Sequence, residues 1–193
     1  IESYDFVRDF VGTVSDAGCK VFIVHARNAW LDGLSPKENR EIPPLRYELG
    51  YQLKKDFPNL VIAINGGITT NAQMAEHLQH VDGVMLGREA YYRPWLMTTW
   101  DDEFYNDPHE VLSREAVEEA MVAYMERAHA EDGCPWYPIA RHMLGLFHGQ
   151  RGARLWRQTW SNHKLKPLPP REVLKIAREA LARGAAERTS ETE

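Results

Sequence analysis

Three short apolar runs give the first half of the chain its rhythm. Val21 to Val24 is one, Leu60 to Ile64 is the second, and Val81 to Leu86, interrupted by Asp82 and Gly83, is the third. Runs of this length bounded by Gly, Pro and Asn read as strands buried on both faces, as in a parallel sheet. Each is preceded by positions at helical spacing: Phe6, Val7, Phe10, Val11 and Val14, closed by Asp16-Ala17-Gly18, then Leu45, Leu49, Leu53 and Phe57, then Met74, Ala75 and Leu78. The order is that of consecutive strand–helix units.

Past the third run the pattern becomes helical. Gly87 to Ala90 opens a helix, and Pro94 with the acidic run Asp101-Asp102-Glu103 places a domain border near residue 105. A helix starting at Asp107-Pro108 or at Ser113 presents Val117, Met121, Tyr124, Met125 and Ala128 on one face and ends at Asp132-Gly133; its acidic outer face reads as solvated. Further helices are predicted over 137–147, 150–161 and 170–183, with a disordered polar tail over 185–193.

The turns after the second and third strands carry the first candidate chemistry. Asn65-Gly66-Gly67 leads to Thr69, Thr70 or Asn71 as the cap of the next helix, so glycine and helix-start N–H groups converge on a point suited to an anion. Gly87-Arg88 repeats the device 21 residues after Gly66, adding a guanidinium that can pair with phosphate oxygens. Adjacent units of this kind suit the last two units of a (β/α)8 barrel, where a phosphate group is frequently bound. The plainer alternative is that each glycine turn is only a tight turn.

His25, Ala26 and Arg27 follow the first strand at the end where a barrel keeps its working residues, although a histidine there can equally be a structural hydrogen-bonder. Nineteen residues then run from Ala26 to Pro44, far beyond the ~2 to 6 of an ordinary loop. Trp30, Leu34, Lys37, Asn39 and Arg40 in that loop suit a nucleic-acid backbone or base, unless the loop simply packs on its own tryptophan. In the 150–161 helix Arg151, Arg154, Arg157 and Gln158 form a one-sided strip opposite Leu155, Trp156 and Thr159.

Charge sharpens this picture. The net charge of −5 argues against nucleic acid, but 101–132 holds eleven acids against Arg114 and Arg127, whereas 134–171 holds seven basic residues and no acid. The second segment is a candidate polyanion surface. With 193 residues the chain can build one sizeable core or a domain and a half. No apolar run reaches the ~20 residues of a membrane span, and a soluble cytoplasmic protein is the default expectation. Cys19 and Cys134 read as core thiols, and no histidine or cysteine stands at zinc-ligand spacing.

Taken together, His25-Ala26-Arg27, the loop Gly33-Leu34-Ser35-Pro36-Lys37-Glu38-Asn39-Arg40 with Pro43-Pro44, Asn65-Gly66-Gly67-Ile68, Asp82-Gly83-Val84-Met85 with Gly87-Arg88-Glu89-Ala90, and Arg141-His142-Met143-Leu144-Gly145 resemble tRNA-dihydrouridine synthase of the A subfamily over nearly the whole chain. The resemblance implies the C-terminal three βα units, strands 6 to 8, of an FMN-binding TIM (β/α)8 barrel over 1–104, followed by a helical tRNA-binding bundle domain over 105–184. It implies reduction of D-loop uridine, 20/20a, to 5,6-dihydrouridine with NADPH re-reducing the flavin, in a protein that is a monomer at full length and needs no metal or membrane. Carried over by position, His25 would contact the flavin ring, Asn65, Gly66, Gly67, Gly87 and Arg88 would bind its ribityl phosphate, and Lys37, Arg40, Arg154 and Arg157 would hold tRNA.

The departure lies at the beginning. By resemblance five βα units, roughly 150 residues, precede the helix at which the chain starts. The proton-donating cysteine after the third strand and the flavin-contacting lysine belong there, so no catalytic residue is assigned here, and neither Cys19 nor Cys134 takes that role. Residues 1–193 alone are then expected to be inactive and poorly soluble. Two other readings stay open: a non-catalytic RNA-binding module, and a phosphate-binding barrel of aldolase or isomerase type.

Overall fold

The computed structural model describes residues 3–30 and 32–186. The chain folds into two compact units, Ile1–Glu89 and Ala90–Glu193. In the first, α1 (Tyr4–Asp16) leads to β1 (Val21–His25), α2 (Tyr47–Asp56) to β2 (Val61–Asn65) and α3 (Asn71–His77) to β3 (Gly83–Met85). The strands form one parallel sheet in the order β1-β2-β3, with α2 and α3 as the crossovers that parallel neighbours require. Val21 stands opposite Val61, and His25, Asn65 and Met85 form one row across the three strands.

The core of this unit lies on one face of the sheet. Ile62, Ile64 and Leu53 are buried, and a Cβ on Gly50 would come within 2.6 Å of Ile64, so α2 rests directly on β2. Lys54 ties the entry of β2 to that of β3 by donating to Asp82 at 2.8 Å and to the Leu60 carbonyl at 2.9 Å, while Asp82 also accepts from the Ile62 N–H.

The expectation of strands buried on both faces is corrected. Val21, Ile23, Val61 and Met85 are 59, 62, 45 and 41% exposed, because the described helices cover only the face that carries Ile62 and Ile64. The described residues thus form a three-stranded α/β unit of the kind that recurs in barrels.

The second unit is helical. Helix α4 (Arg88–Tyr92) spans the division, and a 3-10 segment Pro94–Thr99, α5 (Trp100–Tyr105), α6 (Arg114–Asp132), α7 (Trp136–Ala140), α8 (Ala153–Trp160) and α9 (Pro170–Ala186) follow. Its core gathers Val122, Met125, Trp136, Phe147, Trp156, Trp160, Val173 and Ala177. The division into compact units falls between Glu89 and Ala90. A Cβ on Gly145 would lie 2.6 Å from the Tyr92 carbonyl and the Arg114 guanidinium sits 4.0 Å over the Trp95 ring, so 90–99 packs with the helices.

Other boundaries shift for local reasons. Ser113, not Asp107, caps α6 by accepting from the Ala116 N–H at 3.1 Å. The helix expected over 137–147 ends at Ala140; residues 141–150 form turns that reverse the chain around Gly145 and still bury Met143, Leu146 and Phe147. The helix expected over 150–161 begins at Ala153, after Gly152 with its φ of 78°, where a Cβ would collide with the Leu181 carbonyl. Ala185 and Ala186, expected in a disordered tail, complete α9, and the rest of that expectation, 187–193, lies outside the described residues.

The acids of α6 are not simply solvated either. Glu118 is fully buried, and Glu119 and Glu126 pair with Arg171, which removes Arg171 from the supposed polyanion surface.

Candidate functional site

At the C-terminal end of the sheet the exposed face turns polar. His25 closes β1 and its Nδ1 is hydrogen-bonded to Oδ1 of Asn65, the last residue of β2, whose amide in turn donates to the Met85 sulfur at 2.9 Å. With Nδ1–H donating to the Asn65 carbonyl, the His25 Nε2 is left for another partner. Gly66 and Gly67 continue from Asn65 with φ of 117° and 68°, conformations that suit residues without a Cβ. The turn is also crowded: a Cβ on Gly66 would lie 3.2 Å from the His25 ring, and one on Gly67 2.6 Å from Leu45.

The anion seat inferred from sequence is narrower than expected. Thr70 does cap α3, accepting from the Gln73 N–H, but the Gln73 side chain accepts from the Thr69 and Thr70 N–H groups at 2.9 and 3.2 Å. The capping box therefore occupies the donors of Thr69, Thr70 and Gln73. Among the described residues the N–H groups of Gly66, Gly67 and Gly87 form no backbone hydrogen bond outside the ladder, which leaves them available to an anion. A Cβ on Gly87 would meet nothing within 4 Å, so open space faces that turn.

Arg88 is brought to the same end of the sheet but is engaged by the long loop. Its guanidinium pairs with Glu41 at 3.0 Å and reaches the Arg40 carbonyl at 3.4 Å. Arg27 braces the same segment, donating from Nη1 to the carbonyls of Glu41 and Pro43, while its buried Nε has no partner among the described residues. Glu41 carries no local signal in the sequence, since an acid runs against the glycines and cations that mark an anion seat.

Inside the loop, Asn39 is spent on structure: its Oδ1 accepts from the Trp30 N–H at 2.7 Å and its amide donates to the Trp30 carbonyl at 2.9 Å. Glu38 accepts from the N–H and hydroxyl of Ser35, and those bonds hold its carboxyl below the usual carboxylate range. Lys37 and Arg40 are exposed, and among the described residues neither side chain has an acidic partner. Asn28, Trp30, Pro44 and Arg46 bound an open cavity of about 420 Å³.

Tyr47, at the start of α2, was missed altogether. Its hydroxyl donates to the Gly66 carbonyl at 2.6 Å, and its ring packs on buried His77 with centroids 4.3 Å apart. The only sequence signal was its place directly after the loop.

In the helical unit, Arg151, Arg154, Arg157 and Gln158 are exposed whereas Trp156, Thr159 and Trp160 are buried, and among the described residues none of the three arginines pairs with a carboxylate. Arg141 and Lys164 are exposed too, while Lys166 lies over the Tyr137 ring at 4.2 Å. Cys19 precedes β1, at the opposite end of the sheet from His25, and Cys134 lies between α6 and α7. Among the described residues no three or more His, Cys, Asp or Glu side chains are grouped so as to hold a metal ion, and no helix is long and apolar enough to cross a membrane.

Glycine turns after adjacent parallel strands are a common way for α/β proteins to hold phosphate-bearing ligands. Comparison with known proteins gives this class a narrower definition. The chain belongs to the dihydrouridine synthase family, whose profile matches residues 1–182. It is 53% identical over 176 residues to the tRNA-dihydrouridine(20/20a) synthase of Shewanella oneidensis, covering 91% of this chain and 52% of that protein. Identity to the synthases of the same name from Synechocystis and Escherichia coli is 50% over 179 residues and 49% over 182, covering 93 and 94% of this chain and 53 and 55% of theirs. The chain thus spans about half the length of the curated relatives it matches.

Proposed function

We propose that this chain serves the reduction of uridine to 5,6-dihydrouridine in tRNA, at positions 20 and 20a as its relatives are named, with FMN as the bound cofactor and NADPH as the reductant. The observation that supports it best is the row His25–Asn65–Met85 standing directly before two glycine turns whose N–H groups are unspent. These residues fit a flavin mononucleotide. Gly66, Gly67 and Gly87 offer backbone donors to its phosphate and Arg88 a cation, while His25, oriented by Asn65, offers Nε2 to the ring system. Once bound, the reduced flavin supplies the hydride.

The chain's other contribution is to hold the RNA. Lys37 and Arg40 in the loop of the first unit, and Arg154 and Arg157 on α8, are exposed cations whose partners in this reading are tRNA phosphates. Protonation of the uracil is not assigned to Cys19, which donates to the Val21 carbonyl at the far end of the sheet, nor to Cys134. We place a cytoplasmic, monomeric protein around this activity, as expected for an enzyme acting on tRNA.

The experiment is to purify the protein as the cell makes it, record its visible spectrum, and incubate it with unmodified tRNA and NADPH. A flavin spectrum and NADPH-dependent loss of uridine are expected. A protein that binds tRNA without flavin overturns the flavin reading and favours the RNA-binding module that the unpaired arginines of α8 also suit.

A further inference from the structure

We propose that Tyr47 is a positioning residue for the flavin phosphate, setting the direction in which the Gly66–Gly67 peptide offers its N–H. The inference rests on the phosphate seat described above and adds to it a residue that neither touches the ligand nor belongs to the glycine turns.

A trans peptide points its C=O and its N–H in opposite directions. The Gly66 carbonyl is fixed by the Tyr47 hydroxyl at 2.6 Å, so the Gly67 N–H of the same peptide unit is turned away from Tyr47. The near side is filled: a Cβ on Gly67 would stand 2.6 Å from Leu45 and 3.3 Å from the Tyr47 oxygen. The side of Leu45 and Tyr47 is closed to a ligand, and the N–H points away from it. Without this anchor, the peptide between two successive glycines at positive φ has no side chain of its own to restrict its rotation, and its N–H is less firmly directed.

The anchor is itself held in place. Tyr47 occupies the first position of α2, its ring packs on His77 of α3, and His77 is fixed through Nδ1 by the Tyr51 hydroxyl at 2.6 Å. Both helices that flank β2 thereby bear on one carbonyl. Burial pushes the Tyr47 phenol up in pKa, although the Arg27 charge opposes this, so the hydroxyl keeps its proton and remains the donor. Arrangement of a backbone dipole in advance of binding is the means by which oriented N–H groups favour an anion.

The test compares two ligands that differ only in the phosphate. The protein as the cell makes it is stripped of flavin, and the Kd of FMN and of riboflavin is measured for wild type, Tyr47→Phe and Tyr51→Phe. Phe at 47 keeps the ring stack and removes only the hydroxyl. FMN binding is expected to weaken about three- to ten-fold in Tyr47→Phe, the scale of one neutral hydrogen bond, with riboflavin affinity unchanged and the 31P resonance of bound FMN displaced. Tyr51→Phe, which loosens His77 but keeps the Tyr47 hydroxyl on the Gly66 carbonyl, is expected to change the ratio of the two affinities less than Tyr47→Phe does. Equal loss for both ligands in Tyr47→Phe, no loss for FMN, or the same change of ratio in Tyr51→Phe would overturn the proposal. A wild-type protein that binds FMN no better than riboflavin would instead overturn the seat itself, and the proposal with it.

Discussion

Replacing Glu118 by Ala should unfold the helical unit more readily than any surface change. Glu118 is wholly buried, and its Oε1 accepts from the indole N–H groups of Trp156 at 2.6 Å and Trp160 at 3.2 Å, while Oε2 accepts from Arg178 at 3.1 Å. The two tryptophans are 0 and 2% exposed, so water cannot take over their donors in the variant. Each stranded donor costs roughly 1–3 kcal/mol. Arg178 is 40% exposed and also pairs with Glu119, so it returns to solvent at little cost. The sum is about 2–6 kcal/mol, which brackets the ~3–5 kcal/mol usual for removing one partner of a buried charged network. A Glu118→Gln change retains an acceptor oxygen and should cost only about 1–2 kcal/mol. Urea unfolding followed by indole fluorescence reads both, since Trp136, Trp156 and Trp160 share this core. Stability of Glu118→Ala within about 1 kcal/mol of wild type would show that water reaches the indoles and that the network is ornamental to the fold.

Three further outcomes are expected. Arg88→Ala should weaken FMN binding about ten-fold, the lower end for a charged hydrogen bond because the side chain is half exposed, whereas Glu41→Gln should strengthen it by releasing Arg88; flavin titration of both variants checks this, and an unchanged affinity in each would remove Arg88 from the seat. Arg154→Ala and Arg157→Ala should each weaken tRNA binding and lower its salt dependence by about one unit of slope with flavin content intact, and normal tRNA affinity would show the strip to be misassigned. Desolvation raises the Asp82 pKa, but its bonds from Lys54 and the Ile62 N–H win and hold it below the ordinary value. Its stabilising effect is then complete above the unfolded value of about 3.9 and lost as the pH falls through the lower folded one; Asp82→Asn should flatten acid unfolding there, and an identical acid profile would refute the assignment.

The strands and their preceding helices were legible because apolar periodicity reports burial directly: Ile62, Ile64, Leu53 and Met74 stand where the spacing puts them. Which sheet face the helices cover was not, since Val21 and Ile23 are as apolar as Phe22 and Val24 beside them and an unbroken apolar run carries no mark of that face. In the helical unit, Met143 and Phe147 gave the spacing of a helix, yet turns serve the same burial once Gly145 brings the backbone against the Tyr91 and Tyr92 carbonyls. That approach depends on residues some fifty positions away. The acids of α6 misled for a related reason, as local charge density says nothing of Arg171 and Arg178 arriving from α9. At the candidate site, the places of the glycines and of His25 at the strand ends could be read because turn chemistry is local; the contacts of Tyr47 and Glu41 could not, because they are made across the fold.

The register of the sheet links these two kinds of information. Alternate residues face opposite sides of a strand, and the helices demand Ile62 and Ile64 on theirs. That demand fixes β2, and pairing then fixes β1 and β3, so the other face carries Val21 opposite Val61, then Ile23, Ala63 and Gly83, then His25, Asn65 and Met85. A slip of one residue would exchange His25 and Asn65 for Val24 and Ile64 and send the histidine into the helices. The hydrophobic core on one side therefore decides which polar groups stand on the other, and it does so at the row from which both glycine turns depart. Changes buried beneath β2, such as Ile64→Ala, act on the site through this register and through the seating of α2 at Gly50, without any contact with a ligand.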